Sequence, residues 1–494
     1  MTTMIRRHTI IIAIAVLTSF ATAPTAGAQT RLTRADALRI GSEKSEAVAA
    51  AKAGEVRADA EIQRASSQAL PQVSFLGSYD RTLASEFSSA LESTGPGCNP
   101  LAVNPAAAVA DRVAELERAA SCGGIGSGLD FSNLPFGQKN VYRGTLAISQ
   151  ALYTGGRISA QKTQARLGRL AAELTTSSAE AQTALEITRA FYDVALSEKL
   201  VAIAELAYAQ AESAFAQAKL AFDAGRQPEF ELLRAQVARD NQRPLVIRRR
   251  ADREVAMLRL RQLLELPASE TIVVDVELDL ESGVLAPPAP FAAAVAAQRA
   301  AAAAEIGGTR ADVKQAETLV GVREAAMKIA RAERLPAVSF TSSLGRVGYP
   351  SDGVVPLAGD FRTNWTAGAT VSVPLFTGYR LRAGEQVARA ELIGAQARLK
   401  QTRELAELDA ATALQDLSAA EAVWEASAGT IQQAERAYQI AELRNREGLS
   451  TQLELSDSRL SLQVAQANRA QAARDVQVAR ARVALLPNLP VGVR

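Results

Sequence analysis

The sequence predicts a mainly α-helical chain with a membrane β-barrel portion, built from one strand–strand–long helix–return helix unit used twice. Three observations carry this. The phrase LYTGGR at 152–157 returns as LFTGYR at 375–380, 223 positions later. A run alternating apolar with small polar residues precedes each phrase. After each come 68 residues without a proline, 157–224 and 380–447.

The landmarks fix the duplication. Gly225 matches Gly448, and Leu266-Pro267 matches Leu489-Pro490, both again 223 apart. LPQVSF at 70–75 matches LPAVSF at 335–340, but at an offset of 265. The extra 42 residues fall in the segment holding Cys98 and Cys122. The first copy therefore carries a loop insertion, and everything after it keeps register.

Taken in order, Arg6 and Arg7, an apolar run over 10–20 and Ala26-Gly27-Ala28 read as a secretory signal peptide over 1–28. The run is too short to span a bilayer, although an uncleaved anchor is the other reading. The first repeat occupies 29–266. Residues 34–67, free of Pro and rich in Ala, Glu and Arg, predict one helix that Pro71 stops. Strands follow near 72–83 and 141–150, then a long helix over 157–224 and a return helix over 229–266 that Pro244 should bend. A Pro-rich linker occupies 267–290. The second repeat, 291–486, has a helix, strands near 337–346 and 365–374, a long helix over 380–447 and a return helix over 449–486; a tail ends at 494.

The strands alternate strictly. Trp365, Ala367, Ala369, Val371 and Val373 fall on one face, Thr366, Gly368, Thr370 and Ser372 on the other. In the first copy Tyr142, Leu146 and Ile148 share a face. A membrane barrel wall needs this pattern, although a half-buried sheet of a soluble domain shares it. A helix of 68 residues reaches about 100 Å, more than one globular core can use, and Leu170, Leu174, Leu185 and Phe191 offer it a sparse coiled-coil seam. The glycines of the TGxR junction relax the chain where strand passes into helix.

Composition excludes several classes. Lys and Arg number 55 against 53 Asp and Glu, interspersed, which leaves no basic face for nucleic acid. The only histidine, His8, lies in the signal peptide, so a His-based triad or zinc site is out of reach. No phosphate loop or dinucleotide fingerprint appears, and the expectation is a protein that is not an enzyme and needs no cofactor and no metal. Cys98 and Cys122, in one loop of an exported chain, read as a disulfide, with two unpaired thiols as the alternative. Four strands cannot close a barrel, so several copies must share one; three copies give twelve strands.

Taken together, the doubled unit, the TGxR junctions and the hairpin REGLSTQLELSDSRL (446–460) resemble the TolC family of bacterial outer membrane efflux proteins, over essentially the whole mature chain. The resemblance implies a homotrimer with a twelve-stranded barrel among outer membrane lipid and an α-helical tunnel in the periplasm of a Gram-negative bacterium. The linker 267–290 would then belong to an equatorial region. It also implies a passive conduit served by a periplasmic adaptor protein and an inner-membrane pump of the resistance–nodulation–division or ABC type. In the family, carboxylates six and nine positions after the tip glycine ring the tunnel entrance. Here these are Glu454 and Asp457, with Glu231 in the first copy, where Arg234 replaces the second acid. A solvated helix face is the plain alternative for them. The family's basic gate residue is unmatched, since Ser450 stands there. By the same resemblance Gly225, Gly448, Leu449 and Ser450 belong to adaptor-docking tips, or are ordinary hairpin turns. Small-molecule efflux, type I protein secretion and a structural coiled-coil surface protein are the three functions carried forward.

Overall fold

The computed structural model describes residues 30–84, 101–121, 140–267, 272–274, 289–301, 303–350 and 361–493. The signal-peptide segment, both cysteines and most of the linker lie outside these residues. Two compact units emerge, one from 54–172 and 316–399, the other from the rest of the described chain.

The first unit holds a four-stranded antiparallel sheet. Its strands are β2 (Gln72–Arg81), β3 (Asn140–Tyr153), β5 (Ala337–Gly348) and β6 (Phe361–Ser372), in that spatial order. The register aligns Phe75, Leu146, Leu344 and Trp365 in one row across all four strands. The row Tyr79, Tyr142, Gly348 and Phe361 lies toward the loop end, its two tyrosine rings 4.7 Å apart. The Phe75 ring covers the neighbouring backbone, for a Cβ at Gly77 or Gly144 would meet it at 3.5 Å. Ser343 and Thr366 pair their hydroxyls at 2.8 Å on the opposite face, where Asp80 and Arg143 form an ion pair. The apolar face is bare: Phe75 is 73% and Trp365 75% exposed. Among the described residues, β2 and β6 leave their outer edges unpaired.

At the first TGxR junction Gly155 and Gly156 have φ of 60° and 86°. Their equivalents Gly378 and Tyr379 have 56° and 65°, so the second copy holds a tyrosine in the left-handed region that favours glycine. The two sites differ in space. A Cβ on Gly155 would lie 2.7 Å from the Cβ of Leu335, whereas one on Gly378 would meet nothing within 4 Å. Glu385 fastens the start of the second long helix, accepting from Arg331 Nε and Arg334 Nη1 at 3.2 and 2.8 Å.

Ten helices lie among the described residues: α1 (Arg34–Lys44), α2 (Glu46–Ser67), α3 (Val109–Ser121), α4 (Arg157–Asp223), α5 (Glu229–Leu263), α6 (Ala289–Ala300), α7 (Ala303–Thr309), α8 (Ala311–Ala332), α9 (Arg380–Arg446) and α10 (Gln452–Leu485). The repeat is plain in their lengths: α4 and α9 have 67 residues each, α2 and α8 have 22 each. No described helix is long and apolar enough to cross a membrane.

Several expectations need correction. The single helix expected over 34–67 breaks at Ser45, whose backbone leaves the helical region at ψ 119°. Ser45 N closes α1 on Gly41 O, and Ser45 Oγ accepts from Val48 N to start α2, so one residue ends the first helix with its backbone and caps the second with its side chain. The helix expected after 291 is three helices, and Ala311 N, at the start of α8, donates to Pro487 O at 2.7 Å instead. α5 ends at Leu263, short of the expected 266, and contains Pro244. Of the expected coiled-coil seam, Leu185 and Phe191 are buried, Leu174 is half-buried and Leu170 is exposed. Inside the expected linker, residues 272–274 form β4, parallel to β1 (Thr30–Leu32).

The second unit has two packed layers. Ile187, Phe191 and Val194 of α4 meet Leu260 and Leu264 beside Ala470 and Ala473 of α10. Leu185, Leu417, Ala481 and Val483 gather with Leu486 and Leu489 in the other. Alanines at these contacts let helix axes approach. Buried among them, Arg310 pairs with Asp409 at 2.5 Å and donates to Leu489 O at 2.9 Å, while Arg482 spans Asp409 and Asp416. Removing one member of such a chain strands a buried charge.

Candidate functional site

The two hairpin tips, α4–α5 and α9–α10, carry every residue the sequence nominated for an entrance or a docking surface. Each long helix ends in the same way. Gly225 and Gly448 sit at φ of 68° and 76°. Arg226 N donates to Ala221 O, and Leu449 N to Arg444 O, both at 2.8 Å. Gly225 N and Gly448 N close on Phe222 O and Asn445 O. This left-handed cap satisfies the last carbonyls and turns the chain sharply, which is why glycine stands at both places.

The returning helices start differently. Thr451 caps α10, its hydroxyl accepting from Glu454 N at 3.4 Å. Pro228 caps α5 with no side-chain hydrogen bond. The first amide of α10 finds its acceptor on the other hairpin: Glu231 Oε2 accepts from Gln452 N at 3.3 Å. A carboxylate at a helix N-terminus opposes both the unpaired amide and the positive end of the helix dipole. Gln452 is buried and donates from Nε2 to Asn445 Oδ1 at 3.2 Å, and Asn445 Nδ2 donates to Ser450 O at 3.2 Å.

Glu231 and Glu454 are equivalent positions of the repeat with different surroundings. Glu231 is mostly buried, with Arg234 Nη1 3.9 Å away. Glu454 is exposed and pairs with Arg444 Nη1 at 3.3 Å, an option the first copy lacks because Ala221 stands where Arg444 does. Asp457 is exposed and makes no ion pair among the described residues. The structure thus places Glu454 and Asp457 together on the open face of α10 and draws Glu231 into the joint between the hairpins. Leu449, 71% exposed, and Phe230, 61% exposed, leave apolar surface at the two tips.

Sequence reasoning missed Arg444, Asn445 and Gln452. The signal was present: where the second copy has Asn445 and Gln452, the first has Phe222 and Glu229. A polar residue replacing an aromatic one turn before the tip glycine marks the second hairpin as the one needing an internal network. Among the described residues no cluster of acidic, histidine or cysteine side chains could hold a metal.

Comparison with known proteins extends these observations. The family model described as outer membrane efflux protein matches residues 42–265 and 302–488, the two copies of the repeat. No match was found among curated protein sequences. Among solved structures, the outer membrane protein VceC of Vibrio cholerae is 17% identical, covers 92% of this chain and 96% of its own, and superposes with a TM-score of 0.70. The outer-membrane channel OprN is 20% identical, with 93% and 90% covered and a TM-score of 0.67. The outer membrane channel MtrE of Neisseria gonorrhoeae, solved in its open state, is 17% identical, with 92% and 89% covered and a TM-score of 0.68. Identities this low establish the shared fold, and the family model supplies the rest. With its duplicated unit, its bare amphipathic sheet and its glycine-capped hairpins, this chain belongs to the outer membrane efflux protein family, whose members are outer membrane channels and not enzymes.

Proposed function

We propose that this protein is the outer membrane channel-tunnel of a tripartite export system, conducting drugs or other small molecules passively from a pump–adaptor complex to the exterior. The observation that carries the reading is the four-stranded sheet, apolar and exposed on one face and unpaired at both edges. The bare apolar face suits lipid and not water, whereas unpaired edges are intolerable in lipid, and closing the sheet with two further copies of itself removes the edges while leaving the apolar face outward. Three chains then supply a ring of α4–α5 and α9–α10 hairpins in the periplasm, at whose tips Glu454, Asp457 and the Glu231 joint form the entrance. Gly225, Gly448, Leu449 and Ser450 lie on the surface that meets the adaptor, consistent with the apolar residues exposed there. A type I secretion role would use the same conduit, and the pump decides the cargo.

Purified protein in detergent should have the mass of a trimer. In planar bilayers, replacing Glu454 and Asp457 by Ala should weaken cation selectivity and block by multivalent cations. A stable monomer would remove the barrel. Wild-type selectivity and block in a trimeric double variant would remove only these acids from the pore.

A further inference from the structure

Between α4, α9 and α10 lies a cavity of about 390 Å³ lined by Arg189, Arg474 and Arg482 with Asp416 and Asp475. At about 30 Å³ per water it has room for roughly a dozen water molecules. Two of the three guanidiniums are matched. Arg474 pairs with Asp193 at 2.7 Å and Asp475 at 2.9 Å; Arg482 pairs with Asp409 and Asp416, each at 2.9 Å. Arg189 is half-buried, and among the described residues it makes neither an ion pair nor a hydrogen bond. Arg482 Nε is a buried donor without a partner among the described residues. Burial first, then repulsion from Arg474 and Arg482, lowers the pKa of Arg189, and Glu186 and Asp193 only partly offset this. The lining holds three guanidiniums and two carboxylates; with Asp193 and Asp409 behind it, Arg474 and Arg482 are each met by two carboxylates, and Arg189 is the guanidinium of the lining with none in contact.

We propose that this cavity is a binding site for a small oxyanion of the phosphate or carboxylate class, with Arg189 as its principal ligand. A planar guanidinium offers such an anion two parallel N–H donors. Asp416 and Asp475 at the wall repel a large or highly charged ligand, which restricts the occupant to one compact anionic group. Bound there, the anion ties α4 of the first repeat to α9 and α10 of the second. The inference is independent of the export reading, because it concerns the fastening of helices within one chain.

The probe is inorganic phosphate, added to the full-length protein in detergent at constant ionic strength in exchange for chloride. We expect saturable stabilisation, a melting shift of about 2–4 °C at a hundredfold excess over Kd. Arg189→Gln should lose that shift while melting in chloride within about 1 °C of wild type, since it removes a poorly matched charge. An equal shift in the variant would mean general salt exclusion from the surface and would overturn the site. So would a wild type indifferent to phosphate beside a variant several degrees less stable, the signature of a carboxylate from a second copy already seated on Arg189. If Arg189→Gln fails to fold, calorimetric titration of the wild type decides, and absence of saturable phosphate binding overturns the proposal.

Discussion

Glu231 offers the sharpest test of the tip. It accepts from Gln452 N, the first amide of α10, at 3.3 Å, while Glu454 N and Leu455 N use Thr451. A charge-assisted bond to a helix N-terminus contributes about 1 kcal/mol, at the low end because the bond is long. Gln452 is buried, so a stranded amide adds up to about 1 kcal/mol more, less where water replaces the carboxylate. Glu231→Ala should therefore cost the joint about 1–2 kcal/mol, a roughly 5- to 30-fold rise in its opening constant. Hydrogen exchange followed by mass spectrometry reads this directly. Amides at the start of α10 should exchange faster by that factor, while those near Ala473 and Val483, in the packed layers, stay unchanged. Glu231→Gln keeps an acceptor and should show about half the effect. Glu229→Ala, at an exposed glutamate in the same helical turn, is the control. If Glu231→Ala accelerates exchange no more than Glu229→Ala does, the joint is not what holds the two hairpins together.

Two further expectations concern the strand–helix junction and a half-buried carboxylate. Gly155→Ala must accept both a left-handed φ and a Cβ 2.7 Å from Leu335 Cβ, so it should destabilise by about 2–3 kcal/mol, against about 1 kcal/mol at Gly378, where only φ is costly; denaturation of the two variants side by side measures the gap. Burial raises the carboxyl pKa of Glu198, with Arg253 pulling it partly back. The folded state then binds this proton more tightly than the unfolded chain, so the group costs stability above its folded pKa and the cost fades as pH falls through that value. Glu198→Gln should stabilise the fold at pH 7.5 by about a few tenths of a kcal/mol after solvent screening, seen as a slightly higher melting temperature, and leave it unchanged near pH 4. A difference independent of pH counts against the assignment.

The features legible in the sequence are those set by neighbours along the chain. Period-two alternation put Trp365 and Val371 on one face and Thr366 and Thr370 on the other, because successive side chains of any strand point opposite ways. Proline-free, alanine-rich stretches announced long helices, since helix propensity sums locally. The paired landmarks announced the duplication, and two strands per repeat, four per chain, announced a sheet that one chain cannot close. What required the tertiary structure was everything in which partners lie far apart in sequence. The sequence makes Glu231 and Glu454 equivalent, yet one binds the amide of Gln452 in the opposite hairpin and the other faces Arg444. At the Ser45 break the hydroxyl also meets Thr183 Oγ1 of the first long helix, at 3.4 Å. The ion chain through Arg310, Asp409 and Arg482 depends on helices that meet only after folding, and so does the solitude of Arg189. Local backbone preference acts over a few residues, whereas a side chain's charge partner is chosen by packing. The duplicated sequence therefore determined the architecture twice over, and the packing of the two copies decided how they differ.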